Sequence, residues 1–373
     1  MKKIWSLAAG SALLALTLAA CGDTEENTAK QETSKDNNTF EAYSFTDMDG
    51  HEVTIDESIE DVYIVNMTPL PAVYAAYKGS AEGLVSVPED SLSIIDGTPF
   101  EKVYPDLMDV PTNTEVNVEE ILAADPDVVF YTGGNEEVYE TLTNAGLTAV
   151  AFSTAMTQDA NAIENANEWV EQLETVFNEE ANSQTILDYN KETLAYVSEK
   201  TATIADEDKE SAVIIFALAD GTMSVAGGGH YSDFWLTTSG ATNAAAELDK
   251  IQPVDIEQLM EWNPDKIFLT NFNAALPTDL YDNTISGFDF SKLKAVQNEQ
   301  VYKIPLGSYR WYAPSNESAL MLKWMASINQ PELFADLDMS KEIANFYKEI
   351  YNYELSDADV ASMLNPQGKA VAK

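Results

Sequence analysis

An internal repeat constrains this chain more than any other feature of its sequence. Residues 116–134 read VNVEEILAADPDVVFYTGG, and residues 254–272, which lie 138 positions later, read VDIEQLMEWNPDKIFLTNF. Each copy predicts a short helix, a Pro-Asp turn and an apolar strand that runs into a loop of small and polar residues. Two copies of one such unit predict two α/β lobes of similar architecture, each built on a parallel sheet.

Between the copies lies a long helical stretch. Residues 161–204 contain no Gly or Pro, and apolar side chains recur at helical spacing. We predict a helix of the first lobe, a break near residues 178–181, and one long helix that bridges the lobes. The predicted organisation is an N-terminal lobe at 40–180, the bridging helix at 181–204 and a C-terminal lobe at 205–373. A single bridging helix should limit closure of one lobe onto the other.

The N-terminus has the pattern of an exported, lipid-modified chain. A positive start at Lys2 and Lys3 precedes an apolar stretch, which ends in LAACG at Cys21. We predict a signal peptide at 1–20, acylation of Cys21, and a lipidated, disordered tether at 21–39. An ordinary signal peptide or anchor helix with an incidental cysteine is the alternative. Because Cys21 is the only cysteine, disulfides and thiolate chemistry are excluded once it is acylated.

The charge and the motif content exclude several functions. The chain has 63 acidic and 20 basic residues, so its formal charge is −43, which excludes nucleic acid as a partner. The acids are spread along the chain, which favours adaptation to salty or alkaline surroundings over attraction of a cationic ligand. No zinc-protease motif, phosphate-binding loop or nucleophile elbow is present, so we expect no enzymatic activity.

The start of the N-terminal lobe predicts a hairpin, a strand and a helix. Residues 42–56, AYSFTDMDGHEVTID, alternate around Asp-Gly and predict a β-hairpin, with His51 exposed. Residues 62–67 predict a buried strand, and Thr68 with Pro69 suits the start of a helix.

With this organisation in place, the chain resembles the periplasmic-binding family that takes up iron-siderophores, haem and vitamin B12. The resemblance covers residues from about 41 to 363, and its segments occur in the family's order and spacing: DMDGHEVTID, NVEEILAADPDVVF, LTNAGLTAVAF, SGATNAAAE, VDIEQLMEWNPDKIFLTN, LKAVQNEQVYKIP and YAPSNESALMLKWMASINQPELF. It implies two Rossmann-like α/β lobes, a long backbone helix and a ligand cleft between the lobes. It also implies a monomer that works outside the cytoplasm with an ABC permease dimer and its ATPase.

The resemblance implies a docking site for the permease. The family uses one exposed glutamate on each lobe, and the matching positions here are Glu119 and Glu257. Both lie in the first turn of the predicted repeat helices, where an acid also interacts favourably with the helix dipole. Acids at helix starts with no partner are therefore the alternative.

The resemblance also implies a ligand cleft, lined by loops that follow the strands. The residues expected there are Thr68, Pro69, Tyr131, Gly134, Asn135, His230, Tyr231, Trp235, Asn271, Tyr309, Arg310 and Trp311. Arg310, the only arginine, suits planar recognition of a carboxylate or an aromatic group, or else a buried ion pair. His230 follows three glycines; it could ligate iron or nickel, with Tyr231 or Tyr309 as phenolate partner, hydrogen-bond a siderophore, or be an incidental loop residue.

These residues predict the ligand class. Family members that bind strongly anionic catecholate complexes have several basic residues in the cleft, whereas the loops here offer only Arg310. We therefore expect a ferric chelate of the hydroxamate type or a related metal chelate, and no covalent cofactor except the lipid. A corrinoid or haem ligand in the same fold is the alternative, and a surface-anchored storage or adhesion protein, or an enzyme, belongs to a different class.

Overall fold

The computed structural model describes residues 40–155, 159–219 and 221–367. The predicted signal peptide, Cys21 and the tether lie outside the described residues. Within the described part, no helix is both long enough and apolar enough to cross a membrane.

The N-terminal lobe is built on a five-stranded parallel sheet in the order β5-β4-β3-β6-β7. A separate antiparallel hairpin of β1 and β2 precedes it. The strands are β1 (Tyr43–Thr46), β2 (Glu52–Ile55), β3 (Val62–Val65), β4 (Leu84–Pro88), β5 (Thr112–Asn113), β6 (Val128–Thr132) and β7 (Ala149–Phe152). The helices are α1 (Leu70–Lys78), α2 (Glu89–Ile95), α3 (Val118–Ala124), α4 (Glu136–Asn144) and α5 (Ala162–Phe177). The central strands read as continuous apolar runs because both faces of a parallel sheet are covered.

The C-terminal lobe contains a six-stranded sheet in the order β11-β9-β8-β12-β13, with β10 paired to β8. Its strands are β8 (Ser211–Ala219), β9 (Thr222–Ala226), β10 (Thr242–Asn243), β11 (Ile251–Pro253), β12 (Lys266–Leu269) and β13 (Val301–Lys303). The helices from the bridge onward are α6 (Ser183–Thr201), α7 (Tyr231–Thr238), α8 (Ile256–Trp262), α9 (Pro277–Tyr281), α10 (Lys294–Gln297), α11 (Ser318–Asn329), α12 (Met339–Tyr351) and α13 (Asp357–Leu364).

The second sheet differs from the expected parallel sheet in one respect. Strand β9 is antiparallel to both β8 and β11, so the sheet is mixed. Only two residues separate β8 from β9, and a connection this short can join only antiparallel strands. Gly221, with φ 76°, adopts the left-handed conformation that such a turn needs.

The bridging helix is α6, and the expected break precedes it. Asn178 ends α5 in the left-handed conformation with φ 49°, and Ala181 also has a positive φ of 41°. Asn182 then donates its side-chain amide to the carbonyls of Ala76 and Ile350, which lie on helices α1 and α12. Helix α6 packs against α5 of the first lobe and against α7 and α11 of the second. The predicted long helix between the lobes is confirmed.

The C-terminal helices return to the N-terminal lobe. Helix α13 packs against the short 3-10 turn at Pro99–Lys102, and the amine of Lys102 contacts the carboxylate of Asp359 at 2.6 Å. Residues after 356 therefore pack partly on the first lobe, although they follow the second lobe in sequence.

His51 is more enclosed than the hairpin pattern predicted. Its side chain is 16% exposed, and its ring stacks on Tyr139 with 3.6 Å between centroids. Its two ring nitrogens lie 3.3 Å from carboxylate oxygens of Asp47 and Glu136. The hairpin is thus attached to the first lobe by polar contacts that alternation alone does not reveal.

The similarity between the two copies of the internal repeat extends to the ends of their helices. Asn117 and Asp255, which are 138 positions apart, are both N-cap residues whose side chains accept backbone N–H groups. Asp125 and Asn263 end the two helices in the left-handed conformation, with φ 51° and 40°. Asn and Asp tolerate this conformation better than other non-glycine residues, so both copies end their helices by the same means.

The aspartate of each Pro-Asp turn connects the repeat to the neighbouring strand. The Asp127 carboxylate accepts the backbone N–H groups of Glu60 and Asp61, just before β3. Asp265 accepts the backbone N–H of Ser211, the first residue of β8. In each lobe this aspartate therefore aligns the starts of two adjacent parallel strands.

Replacing Asp127 by alanine should lower the free energy of unfolding by about 1–3 kcal/mol, because two backbone donors lose a charged acceptor. Urea unfolding followed by circular dichroism measures this loss. Asp56→Ala, at an exposed acid after the hairpin, is the control and should change stability by less than about 0.5 kcal/mol. Equal midpoints for the two variants would contradict the role assigned to Asp127.

Candidate ligand-binding site

An aromatic cluster of Phe216, Phe272 and Tyr312 joins β8 to the loops after β12 and β13, where the sequence predicts the ligand cleft. Phe216 and Phe272 stack with 4.5 Å between ring centroids, and Tyr312 meets both rings edge-on at 5.8 and 6.4 Å. Phe216 and Phe272 are half-buried, whereas Tyr312 is 1% exposed. The cluster therefore presents partly exposed ring surface on a rigid base.

Arg310 lies over this cluster. Its guanidinium carbon is 4.3 Å from the centroid of the Phe272 ring, within the range of a cation–π contact. The side chain is also next to Tyr309, whose hydroxyl accepts a hydrogen bond from Nη1 at 3.2 Å. Arg310 therefore stacks on a side chain of its own lobe, Phe272, and its recognition of a ligand stays a prediction.

His230 joins the cluster from the loop before α7. Its Nδ1 is 2.6 Å from the Tyr312 hydroxyl, and the two rings are nearly parallel. Burial, with a smaller contribution from the nearby charge of Lys250, lowers the pKa of His230 to about 4. The imidazole is thus neutral at physiological pH, which is the form that ligates metals or hydrogen-bonds as both donor and acceptor.

Two hydrogen bonds connect the lobes beside the cleft. The hydroxyls of Thr68 and Tyr309 are 2.9 Å apart, and Tyr231 donates its hydroxyl to the side-chain oxygen of Asn165 at 2.8 Å. Thr68 and Tyr231 were both expected in the cleft, and the structure places them where the lobes meet. The tyrosine hydrogen-bonded to His230 is Tyr312, and Tyr231 or Tyr309 as a phenolate ligand to the same metal stays a prediction.

The N-terminal half of the cleft contains residues that the sequence patterns did not indicate. A cavity of about 230 Å³ lies at the carboxyl ends of β3, β4 and β5 and is lined by Asn66, Thr68, Pro88, Glu89, Asp90, Asn113 and Thr114. The available signal was the segment LVSVPED, in which an apolar strand runs directly into two acids. Glu89 and Asp90 make this cavity acidic.

Several expected ligand-binding residues lie behind the site or away from it. Trp235 and Trp311 are fully buried, and their indole N–H groups donate to the Tyr312 carbonyl and to the Glu317 carboxylate. Tyr131 is 1% exposed and packs in the small core around α3 and α4. These three side chains support the fold instead of lining the cleft.

Residues of the loop after β6 make hydrogen bonds within the N-terminal lobe. Gly134 donates its N–H to the carboxylate of Asp49 in the hairpin, and Asn135 caps helix α4 by accepting the N–H of Val138. Pro69 is buried at the start of α1. The structure thus gives all three residues structural roles near the ends of strands β3 and β6.

Asn271 differs from these residues because its amide is buried without a partner. The residue is 1% exposed, and within the described part of the chain neither its side-chain oxygen nor its nitrogen has a hydrogen-bond partner. A buried amide in this condition costs about 1–3 kcal/mol. It precedes Phe272, so this unpaired amide lies in the loop that carries one ring of the aromatic cluster.

The chain itself offers few metal ligands. The described residues contain no group of three or more His, Cys, Asp or Glu side chains arranged to hold a metal ion. The site can therefore supply single donor atoms, such as a nitrogen of His230, to a metal that carries other ligands.

Glu119 and Glu257 occupy equivalent exposed positions on the two lobes. Each is in the first turn of its helix, α3 or α8. Because each helix runs back along the strand that follows it, its start lies towards the carboxyl end of that strand, on the cleft side. Leu122, 49% exposed, is one turn after Glu119, and its repeat equivalent, Met260, is half-buried.

Comparisons with known proteins agree with this architecture. The model of the periplasmic binding protein family matches residues 84–306. The molybdate-binding protein MolA of Haemophilus influenzae is 24% identical over 68% of this chain and 76% of its own length. The iron-uptake system-binding protein of Bacillus subtilis is 27% identical over 81% of this chain and 90% of its own.

A solved structure of a solute-binding protein has the same fold as this chain. The periplasmic solute binding protein of Veillonella parvula superposes with a TM-score of 0.78 at 28% identity, covering 87% of this chain and 97% of that one. The two lobes, the bridging helix and the cleft define an extracytoplasmic binding protein. The chain belongs to the periplasmic binding protein family, and it is the solute-binding component of an ABC importer, not an enzyme.

Proposed function

We propose that this protein binds a ferric chelate of the siderophore type, or a related metal chelate, and delivers it to its importer. The observation that carries the proposal is Arg310 over Phe272, beside the neutral imidazole of His230. A guanidinium paired with aromatic surface suits a bulky ligand with planar, oxygen-rich groups. The B. subtilis relative, named for iron uptake, supports the same ligand class.

Molybdate is the second candidate, because MolA is a relative and Arg310 could bind an oxyanion. The acidic half of the cleft argues against it. Glu89 and Asp90 line the cavity beside Thr68, and they would repel a small dianion, whereas a larger chelate can direct neutral or cationic groups towards them. We therefore favour the metal chelate.

Isothermal titration calorimetry against a panel tests this proposal. The panel contains ferrioxamine B, a ferric catecholate, haemin, cobalamin, nickel-histidine and molybdate. We expect a dissociation constant of about 1 μM or lower for a ferric chelate and no heat for molybdate. Binding of cobalamin or haemin alone would assign the alternative ligands, and binding of none would refute a chelate-binding role.

We also propose that His230 donates one ligand atom to the bound metal. Tyr312 occupies Nδ1, so Nε2 is the ring nitrogen assigned to the metal. His230→Ala should weaken binding of the ferric complex about tenfold and shift its visible absorption, because a metal ligand is lost. His51→Ala is the matched control, since it removes the other histidine of the chain at the hairpin. An unchanged spectrum in His230→Ala would remove the metal-ligand role.

Docking to the permease is proposed to use Glu119 and Glu257. Their support is the equivalent exposed placement on two lobes, at the edge onto which the cleft opens. Leu122 and Met260 add an apolar side chain one turn away on each lobe. A repeated surface of this kind fits a partner with two equivalent subunits, each with a cation for one glutamate.

The lipid anchor remains part of the proposal. Acylation of Cys21 would hold the protein, as a monomer, on the outer face of the membrane beside its permease. Mass spectrometry of the mature N-terminus tests it, since an unmodified cysteine or a different cleavage site would refute the anchor.

A further inference from the structure

Two buried ionisable side chains in the C-terminal lobe each hold one cleft loop. Lys303, at the end of β13, is 7% exposed. Its amine donates to the carbonyls of Thr270 at 2.8 Å and Asn273 at 2.7 Å. These carbonyls lie on either side of Asn271 and Phe272, so the lysine closes the loop that presents them.

Glu317 holds the other loop by accepting hydrogen bonds, whereas Lys303 donates them. It is fully buried, and one carboxylate oxygen accepts the N–H of Ser308 at 2.8 Å and the indole N–H of Trp311 at 2.7 Å. Its other oxygen accepts the hydroxyl of Tyr347 at 2.6 Å. Ser308 and Trp311 lie on either side of Tyr309 and Arg310, and the backbone at Gly307 passes so close to the carboxylate that a Cβ would not fit.

The residues enclosed by these contacts are the two that meet at the centre of the site. Phe272 lies between the carbonyls that Lys303 contacts, Arg310 lies between the donors that Glu317 contacts, and Arg310 lies over Phe272. We propose that Lys303 and Glu317 are positioning residues that together hold Arg310 against Phe272 and so set affinity for the ligand. The ligand in this inference rests on the proposed function, whereas the contacts of Lys303 and Glu317 do not depend on which ligand binds.

A purely structural role would not require an ionisable side chain at either position. Burying a charge is costly, and apolar residues of similar size often stabilise a core at least as well. Both ionisable groups make two or more hydrogen bonds to loop groups, which fixes those loops before ligand arrives. Burial raises the pKa of Glu317 to about 7, opposed by the hydrogen bonds from Tyr347, Ser308 and Trp311. Burial lowers the pKa of Lys303 to about 8, opposed by the negative charge of Asp279, so the amine is mainly protonated at neutral pH.

The experiment uses the fact that Arg310 is the only arginine in the chain. Labelling with ¹³C,¹⁵N-arginine gives one set of side-chain NMR signals, whose CH₂ protons sense the Phe272 ring current. Lys303→Met and Glu317→Leu should each move these signals towards those of a free arginine. Glu317→Gln, which keeps an acceptor for Ser308 and Trp311, should move them less than Glu317→Leu.

The matched control is Lys266→Met. Lys266 is a second buried lysine, 4% exposed, at the opposite end of the same sheet, where it pairs with Glu210. The Lys266→Met substitution should leave the Arg310 signals unchanged. Unchanged signals in both Lys303→Met and Glu317→Leu would overturn the inference. If Lys303→Met does not fold, Lys303→Gln, which keeps N–H donors at shorter reach, takes its place in the same comparison.

A double-mutant cycle then tests whether Lys303 affects ligand affinity by positioning Arg310. With ferrioxamine B as the probe, Lys303→Met should weaken binding about tenfold, and Arg310→Gln should cost less in that background than in the wild type. Additive losses would show that Lys303 does not act through Arg310. Absence of binding by the wild type to every metal chelate of the calorimetry panel would refute the proposed ligand class, while the NMR comparison still decides the positioning role.

Discussion

Replacing Arg310 by glutamine should weaken binding of a ferric chelate by about one to two orders of magnitude. Arg310 is the only arginine of the chain. The residue is 5% exposed, and its guanidinium lies over the Phe272 ring. Hydrogen bonds to a charged group contribute about 1.5–3 kcal/mol, and the stacked arrangement adds to them because the site is shielded from water. Calorimetry of wild type and variant with the same chelate measures the loss.

Two further variants show which property of Arg310 matters. Arg310→Lys keeps the charge but loses the planar fork, so its affinity should fall between wild type and Arg310→Gln. Lys250→Gln removes an exposed cation close enough to lower the pKa of His230, and it should change affinity less than about threefold. If Lys250→Gln and Arg310→Gln have equal effects, general charge and not Arg310 attracts the ligand.

The repeat shows how far sequence alone predicts this fold. Caps, helix ends and the Pro-Asp turn depend on local residue types, so the pattern at 116–134 and 254–272 predicted both copies. The same equivalence extends to side-chain hydrogen bonds, since Thr132 donates to the carbonyl of Asn66, just after β3, and Thr270 to that of Phe216 in β8. The mixed second sheet was not predicted because the repeat contains only helix–strand units, whereas β8 and β9 are joined by a two-residue connection outside it.

Side-chain direction at the site was harder to predict. In a strand covered on both faces, apolar residues occur on both sides, so sequence does not tell which face Tyr131 occupies. In the loop after β13 there is no periodicity, and neighbouring Arg310 and Trp311 point to different environments.

Charge type alone was equally uninformative for the buried positions. Lys303 and Glu317 could not be distinguished in sequence from the many exposed charges of this acidic chain. Their importance is visible only from burial, and from the loop groups that they contact.

Reversing both proposed docking charges, Glu119→Lys with Glu257→Lys, should reduce uptake of the chelate by about 100-fold or more and leave ligand affinity unchanged. Each substitution replaces a favourable interfacial charge pair by repulsion, and close pairs of this kind can contribute about 1.5–7 kcal/mol. Both side chains are exposed on α3 and α8, outside the loops that bind ligand, so calorimetry should give the wild-type dissociation constant.

The control must carry the same change in net charge, because the chain is so acidic that any reversal alters its long-range field. Glu199→Lys with Glu349→Lys meets this requirement at exposed positions on α6 and α12. Uptake of radiolabelled ferric chelate by cells should be near normal with the control pair and lost with the docking pair. Single reversals should each give an intermediate loss, since the second lobe still contacts its permease subunit. Equal uptake by both double variants would mean that the importer recognises another surface, even though the repeat places these two glutamates equivalently.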